Sequence, residues 1–252
     1  MLVVSGLNKS FGGLRAVQDF SMEVSEAGIV GIIGPNGAGK TTIINLISGI
    51  YRADTGTIEF AGRDITPLKQ HEIARLGISR TFQNIRLFKG LNCLDTVKTA
   101  CDYKNPYGAL EALFYTPKVR KAEKQLEEEA FRYLEMMSLV DLADERPENL
   151  PYGLQRRLEL ARALITRPRL LLLDEPAAGL NPDEVCDLIE LIRGIHRNNP
   201  IGIIIIEHKM EVIMNLCQKI YVQSFGKTIA VGTPREVQTH PEVLKAYLGE
   251  EG

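Results

Sequence analysis

Residues 34–42, Gly-Pro-Asn-Gly-Ala-Gly-Lys-Thr-Thr, have the residue types and the spacing of a phosphate-binding loop. Glycines let backbone amides turn inward around phosphate oxygens, and the lysine adds a cation beside the outer phosphates. The hydroxyl of Thr41 can bind magnesium. We therefore predict a nucleoside triphosphate site made of Gly34, Pro35, Asn36, Gly37, Ala38, Gly39, Lys40, Thr41 and Thr42.

Two carboxylates, Asp174 and Glu175, directly follow the aliphatic run 170–173. Such a run is typical of a buried parallel strand, and the carboxyl end of that strand faces bound ligands in an open α/β sheet. We expect Asp174 to bind magnesium, directly or through water. Glu175 is placed to accept a proton from the water that attacks the terminal phosphorus.

His208 ends another aliphatic run, 203–206, after Glu207. Its imidazole should therefore emerge at the same edge of the sheet, where it can hydrogen-bond the terminal phosphate. The other three histidines have no such context and are expected at the surface: His71, His196 and His240.

The elements around these residues predict an α/β fold with a phosphate-loop NTPase core. Runs 29–33, 170–173 and 203–206 are predicted parallel strands, and a helix is expected at 43–50. Shorter strands at 2–4, 18–24 and 57–60 predict a small antiparallel sheet against which adenine could rest. A single domain, 1–252, would then combine a nucleotide-binding core, 1–86 with 161–252, and an inserted helical subdomain, 87–160.

The inserted segment has a helical apolar stripe within a strongly charged stretch. Its apolar positions are Leu126, Ala130, Tyr133, Leu134 and Met137. The charged residues between 118 and 129 are interpreted as a solvent-exposed face with ion pairs along the helix.

Composition narrows the classes of function. The chain has 252 residues, 44% of them hydrophobic, and a formal net charge of -2, which favours a globular protein and disfavours nucleic acid as a partner. Four isolated cysteines predict neither a metal site nor a disulfide framework. We expect no signal segment and no membrane span, so that work at a membrane would require other subunits.

A longer set of motifs resembles a family. Residues 150–164, Leu-Pro-Tyr-Gly-Leu-Gln-Arg-Arg-Leu-Glu-Leu-Ala-Arg-Ala-Leu, resemble the signature segment and following helix of ATP-binding cassette proteins. The segment Thr81-Phe-Gln83 precedes it, and residues 178–182, Ala-Gly-Leu-Asn-Pro, and His208 follow it in the order of that family. The resemblance covers essentially the whole chain and implies an ATPase.

The resemblance also implies a shared mechanism. Two cassettes would pair head to tail, with each ATP between the phosphate loop of one and the signature segment of the other. Tyr152 and Gly153 would then contact the nucleotide held by the partner. Gln83 would contact magnesium or the attacking water, and Phe11 would stack on adenine, although a strand aromatic can instead pack in the core.

The signature segment departs from the common family pattern Leu-Ser-Gly-Gly-Gln. Pro151, Tyr152 and Leu154 replace serine, the first glycine and glutamine. Pro151 lacks both the hydroxyl and the backbone donor of serine, and one hydrogen bond to a charged group is worth about 1.5 to 3 kcal/mol. We therefore expect a weaker composite site. A further departure is Asn181, which stands where many relatives have aspartate at a contact across protomers.

The details of the chain are similar to ATP-binding subunits of bacterial branched-chain amino acid importers. The segments that carry this similarity are 80–88, about 101–133, 177–182 and 241–249. It implies a peripheral protein at the cytoplasmic face of the membrane, with a second cassette, identical or related, two permease subunits and, indirectly, an extracytoplasmic binding protein. Importers of urea and amides are related and remain an alternative. A last helix with Leu244, Tyr247 and Leu248 is expected to pack on the core or to cover part of the dimer surface.

Three other classes fit the sequence less well. A cassette ATPase that acts on DNA or ribosomes would be expected to have a second cassette, a long coiled coil or a basic surface. A GTPase would need the guanine-reading pattern Asn-Lys-x-Asp, but Phe11 ends the segment Asn-Lys-Ser-Phe at 8–11. A nucleotide-binding regulator without catalysis would lack Glu175 or His208.

Overall fold

The computed structural model describes residues 1–83, 85, 87–88, 90–104, 107, 109–114 and 116–248. The chain divides into two compact units, one formed by Met1–Gln83 with Arg169–Gly252 and the other by Asn84–Pro168. Three of the segments that carried the importer resemblance reach beyond the described residues, since they include Asn84, Asn105 and Gly249.

The first unit contains all ten strands of the described chain. They are β1 (Leu2–Phe11), β2 (Leu14–Val24), β3 (Ile29–Ile33), β4 (Thr55–Phe60), β5 (Arg63–Asp64), β6 (Ile78–Arg80), β7 (Leu170–Asp174), β8 (Gly202–Ile206), β9 (Lys219–Ser224) and β10 (Lys227–Gly232). Its helices are α1 (Lys40–Ile47), α2 (Gln70–Arg75), α7 (Pro182–Asn198), α8 (Met210–Leu216), α9 (Pro234–Gln238) and α10 (Pro241–Leu248).

A six-stranded sheet, in the order β10-β9-β3-β8-β7-β6, forms the centre of this unit. The pairs β3·β8, β3·β9, β7·β8 and β6·β7 are parallel, and β10 is antiparallel to β9. Every residue of β3, β7 and β8 is buried, as expected for aliphatic strands covered on both faces. The predicted parallel strands are confirmed, and their carboxyl ends lie along one edge.

The second sheet is antiparallel, in the order β2-β1-β4-β5. The predicted small N-terminal sheet is confirmed, but β1 and β2 are longer than the sequence indicated. The extra length of β1 includes Gly6, Asn8 and Lys9, and its register shifts near these residues. Polar residues and bulges obscure the alternation on which strand prediction depends.

The second unit is helical in its described part. It contains α3 (Cys93–Lys98), α4 (Ala109–Leu113), α5 (Pro117–Met136) and α6 (Tyr152–Leu164), with short 3-10 helices at Thr99–Lys104, Val140–Leu142 and Pro147–Asn149. On the predicted stripe, Ala130, Leu134 and Met137 are fully buried. Lys124 and Glu128 form an ion pair of 3.9 Å on the exposed side of α5, which confirms the solvent-facing interpretation of the charges.

Some boundaries differ from those expected. Helix α1 begins at Lys40 and ends at Ile47, three residues earlier at each end than predicted. Helix α10 contacts β10 and α9, but Val243 is its buried residue, whereas Leu244 is 47% exposed. The last helix thus packs on the core, one of the two outcomes expected, with Val243 rather than Leu244 as its buried residue. The side chain of Leu248 lies outside the described residues.

None of the helices in the described chain combines the length and the hydrophobicity of a membrane-crossing segment.

Candidate functional site

The phosphate-binding loop connects β3 to α1, and its glycines are required by close backbone contacts. A Cβ at Gly34 would lie 2.0 Å from the carbonyl oxygen of Gln223, and one at Gly39 would lie 2.2 Å from that of Ala16. Both glycines also have positive φ angles, 148° and 99°. The neighbouring strands therefore leave room only for glycine at these two positions.

The loop is closed around the side chain of Lys40, which is buried at the start of α1. Its Nζ donates hydrogen bonds to the carbonyl oxygens of Gly34 (2.6 Å) and Pro35 (2.8 Å). The loop is also tied to the β9–β10 turn, because the N–H of Gly226 donates to the carbonyl of Ala38 (3.1 Å). An ammonium group is thus held inside the turn, where an anion would be attracted.

Asp174, at the end of β7, is almost completely buried, with 1% exposure. Its Oδ2 accepts a 2.8 Å hydrogen bond from Nη2 of Arg80, the last residue of β6. Arg80 also donates to Asn45 of α1 (2.6 Å) and to Ser48 directly after that helix (3.1 Å), so that it links three elements. The Oδ1 atom of Asp174 is buried and makes no hydrogen bond to any described residue.

Glu175 adopts φ = 50°, a conformation that non-glycine residues rarely use outside constrained positions. Its N–H donates to the carbonyl of Ile206 at the end of β8 (2.9 Å), which holds the backbone in place. Its Oε1 lies 3.1 Å from Nε2 of His208, and its Oε2 accepts a 2.8 Å hydrogen bond from Nε2 of Gln83. The structure therefore brings together the three residues that the sequence assigned to catalysis.

One cavity of about 440 Å³ joins these groups. It is lined by Phe11, Leu14, Arg15, Ala16, Asn36, Gly37, Ala38, Gly39, Lys40, Thr41, Thr42, Gln83, Glu175, His208 and Phe225. Of the residues predicted in this unit, all of which are described, Gly34, Pro35 and Asp174 do not line it. They support the lining residues through the loop backbone and through Arg80.

Phe11 lies at the end of β1 and is 42% exposed. Its ring contacts Tyr51 edge to face, with 5.1 Å between centroids, and Nζ of Lys9 lies 5.5 Å from the ring. The alternative of core packing does not fit this exposure. A role in stacking stays a prediction, for which the ring is suitably placed.

Phe225 was not identified from the sequence. It is 89% exposed, has φ = 45°, and forms the β9–β10 turn with Gly226. Gln18 fixes this turn, because its side chain donates to the carbonyl of Phe225 (3.0 Å) and its N–H donates to that of Gly226 (2.8 Å). The feature of the sequence that could have identified Phe225 is an aromatic residue at a hairpin turn position that favours Asn, Asp or Gly.

Glu207 was also missed as a functional candidate. It is 2% exposed, and its carboxylate accepts hydrogen bonds from the N–H groups of Ala177 (2.6 Å), His208 (3.0 Å) and Lys209 (3.3 Å). Burial raises the pKa of Glu207, and the three backbone donors oppose that rise. The signal in the sequence was a carboxylate directly after a strand of four isoleucines.

The signature residues belong to the second unit, where α6 begins at Tyr152. Pro151 precedes the helix, and its fixed φ suits this position. The Tyr152 hydroxyl accepts a 2.8 Å hydrogen bond from Nη2 of Arg156, and Arg156 forms a buried 3.2 Å ion pair with Glu159. Tyr152 itself is 42% exposed, and Gly153 is half-buried.

Asn181 caps helix α7. Its side chain accepts from the N–H of Glu184 (3.0 Å), and the Glu184 carboxylate accepts from the N–H of Asn181 (2.9 Å). This reciprocal arrangement is a capping box, which aspartate could form equally well. The departure from the family pattern at Asn181 therefore preserves the local structure.

Comparison with known proteins places this architecture in a family. A family model described as "ABC transporter" matches residues 17–178, and one described as "Branched-chain amino acid ATP-binding cassette transporter" matches residues 227–252. The chain belongs to the ABC transporter family. The family resemblance and the fold class predicted from the sequence are both confirmed.

Curated relatives match this ABC cassette over almost its whole length. The high-affinity branched-chain amino acid transport ATP-binding protein LivG of Salmonella typhimurium is 43% identical over 250 residues, 99% of this chain and 98% of the relative. The corresponding protein BraF of Pseudomonas aeruginosa is 44% identical with the same coverage. Among solved structures, the ADP conformation of MJ1267, an ATP-binding cassette of an ABC transporter, has a TM-score of 0.85 at 32% identity and covers 99% of this chain and 98% of that one.

The thiols of this ABC cassette are not part of its cavity. Cys93, Cys101 and Cys217 are buried, and Cys186 is exposed. Burial raises the pKa of Cys93 to about 11 and that of Cys217 to about 12, so both are protonated at neutral pH. A thiol that stays protonated is a poor nucleophile.

Proposed function

We propose that this cassette binds ATP with magnesium and hydrolyses it to power the import of branched-chain amino acids through separate permease subunits. The observation that carries the proposal is the single cavity in which the phosphate-binding loop faces Gln83, Glu175 and His208. Family membership supports it, because proteins of this family are ATPases coupled to transport.

ATP would bind along the cavity from Phe11 to the phosphate-binding loop. Backbone N–H groups of residues 36–42 would surround the phosphates, and the Lys40 ammonium would exchange its carbonyl partners for phosphate oxygens. Phe11 offers a ring face to adenine, and Phe225 adds a second aromatic at the cavity wall. Stacking recognises any base, so we expect other nucleoside triphosphates to bind as well.

The residues present suit magnesium. Asp174 has a buried oxygen, Oδ1, that accepts from no described residue, and the Thr41 hydroxyl belongs to a residue lining the cavity. Among the described residues there is no group of three His, Cys, Asp or Glu side chains that could hold a metal alone. Magnesium suits such a partial site, since it is commonly bound by one or two carboxylates together with substrate phosphates. Asp174, Thr41 and Gln83 would hold it, and it would neutralise charge on the phosphate oxygens.

Glu175 would accept a proton from the attacking water, because it is the carboxylate that faces the cavity. Gln83 and His208 contact its two oxygens and would orient it before ATP enters. With ATP bound, His208 can instead donate to the terminal phosphate, and Gln83 can contact the water. Both changes exchange one hydrogen-bond partner for another without moving the strands.

A second cassette would complete each ATP site. The N–H groups of Tyr152 and Gly153 lie in the first turn of α6. No carbonyl group within the helix is placed to accept a hydrogen bond from them. The amino end of this 13-residue helix therefore presents backbone N–H donors and the positive end of the helix dipole. We infer that they contact the terminal phosphate of ATP held by the other cassette, which is either an identical or a related chain.

The proposed cargo rests on the C-terminal family match and on relatives that are named as branched-chain amino acid transport proteins and are 41 to 44% identical. Two permeases and an extracytoplasmic binding protein would select the solute, and this chain would work at the cytoplasmic face of the membrane. Urea or amides remain the alternative cargo.

The test is ATP hydrolysis per chain as the protein concentration is raised, followed by reconstitution with the permeases and binding protein encoded beside its gene. We expect weak hydrolysis that rises with concentration or with the permeases, and leucine uptake that requires ATP. High activity that does not change on strong dilution would contradict a shared site. Urea uptake without leucine uptake would leave the ATPase intact and overturn the cargo.

A further inference from the structure

The loops that follow β7 and β8 are joined at three points besides the contact between Glu175 and His208. The N–H of Glu175 donates to Ile206, the N–H of Ala177 donates to the Glu207 carboxylate, and Nζ of Lys209 donates to the carbonyl of Leu180 at 2.7 Å. We call the contact of Glu207 with Ala177 and the contact of Lys209 with Leu180 the loop clamp. They hold the first loop near both of its ends, on either side of Gly179.

Glu207 is an unusual residue for this place, because burying a carboxylate is costly. Its charge is opposed by desolvation and by the nearby carboxylate of Glu175, and no cationic group is among the causes of its pKa shift. Three backbone N–H groups compensate for the lost water. One oxygen binds the loop of Glu175, and the other binds the loop of His208, so the carboxylate joins the two.

We propose that Glu207 and Lys209 are positioning residues that set the hydrogen-bond distance between Glu175 and His208 before ATP binds. The inference rests on the proposed ATPase function. Glu207 does not line the cavity, and it acts through the backbones of Ala177 and His208. Because Lys209 holds Leu180, directly before the Asn181 cap of α7, the segment that carries Glu175 is fixed at both ends.

The first test is Glu207→Gln, which preserves size but puts an amide N–H₂ against a backbone N–H donor. We expect kcat to fall about tenfold to a hundredfold, since misplacement of catalytic groups has effects of this size, while KM for ATP changes less than about threefold. Glu236→Gln is the matched control, because Glu236 also accepts from a backbone N–H but lies outside the cavity. An unchanged kcat, or a higher KM with unchanged kcat, would overturn the proposal.

The second test uses Lys209, which is only half-buried, so that it does not depend on substituting the fully buried Glu207. Lys209→Met removes the donor to Leu180, and Lys209→Arg keeps a donor. We expect the first to lower kcat and the second to restore most of it, with ATP affinity unchanged in both. Equal kcat in the methionine variant and the wild type would overturn the role of Lys209.

A measurement without ATP separates this inference from the proposed function. In the wild type, the amides of Ala177 and His208 should exchange slowly with deuterium, because both donate to the buried carboxylate. Glu207→Gln should speed exchange in residues 175–181 and 207–209 by at least about tenfold and leave the exchange of β3 unchanged. Unchanged exchange would overturn the loop clamp even if the wild type hydrolyses ATP, and faster exchange would support it even if the wild type does not.

Discussion

The phosphate-binding loop and the signature segment of this chain respond differently to sequence change. In residues 34–42 the backbone of neighbouring strands lies so close that Gly34 and Gly39 cannot carry a side chain. In the signature segment, Pro151, Tyr152 and Leu154 all depart from the family pattern, yet α6 forms and begins at Tyr152. The loop is constrained by its own unit, whereas the signature segment must satisfy mainly the start of a helix and, in our proposal, a nucleotide held by another chain.

Glu175→Gln, in the cavity that the phosphate-binding loop lines, should have the largest effect on ATP hydrolysis. The amide cannot accept a proton, and positioned general bases contribute about 10²- to 10⁴-fold, so we expect phosphate release to fall by at least a hundredfold. ATP binding should persist, and an ATP-bound dimer should accumulate. Steady-state phosphate release and size-exclusion chromatography check this, with Glu190→Gln on the exposed face of α7 as control. Normal turnover would reject Glu175 as the base.

Lys40→Ala should weaken ATP binding by the isolated chain. A charge-assisted hydrogen bond is worth about 1.5 to 3 kcal/mol, so affinity should fall about tenfold to a hundredfold. Equilibrium dialysis with ATP measures the loss, and Lys245→Ala, at an exposed position of α10, is the control. Equal affinity of the Lys40 variant and the wild type would contradict the loop assignment.

Tyr152→Phe tests the signature segment, where we expect a smaller effect on ATP hydrolysis. It removes the hydroxyl that accepts from Arg156 but leaves the buried pair of Arg156 with Glu159. Tyr152 is 42% exposed, so water can replace the lost hydroxyl beside Arg156, and we expect kcat/KM to fall only about twofold to tenfold at concentrations where cassettes pair. ATP binding to the dilute chain should not change. A loss of that binding as large as in Lys40→Ala would break the distinction between the two regions.

The pKa of Glu207 predicts the smallest effect, on stability. Its pKa is raised in the folded protein, so its proton is bound more tightly when folded than when unfolded. This contribution to the free energy of unfolding is fully present below the unfolded pKa, about 4.3, and is lost as pH rises through the folded pKa. Relative to Glu207→Gln, the wild type should lose stability between pH 4 and pH 7.5. Urea unfolding at both pH values measures it, and a constant difference would contradict the raised pKa.

Local patterns predicted the central elements well. The strand at 29–33 has the predicted bounds, and β7 and β8 follow their aliphatic runs, because burial on both faces requires continuous apolar residues. The boundaries of α1 were less accurate, since its first turn contains residues that periodicity does not identify. The packing of α10 on the core was among the outcomes expected, but spacing did not identify Val243 as its buried residue, because docking decides which side is covered.

The sequence by itself determined the kind of chemistry. A glycine-rich loop with lysine and threonine, and polar residues directly after aliphatic strands, are local patterns with a local physical cause. Tertiary structure decided how these residues meet. Gln83 and Glu175 are 92 positions apart, and Arg80 and Asp174 are 94 apart. Such contacts, like the buried Glu207 between two loops and the exposed Phe225 on the cavity wall, depend on strand order, which no local pattern encodes.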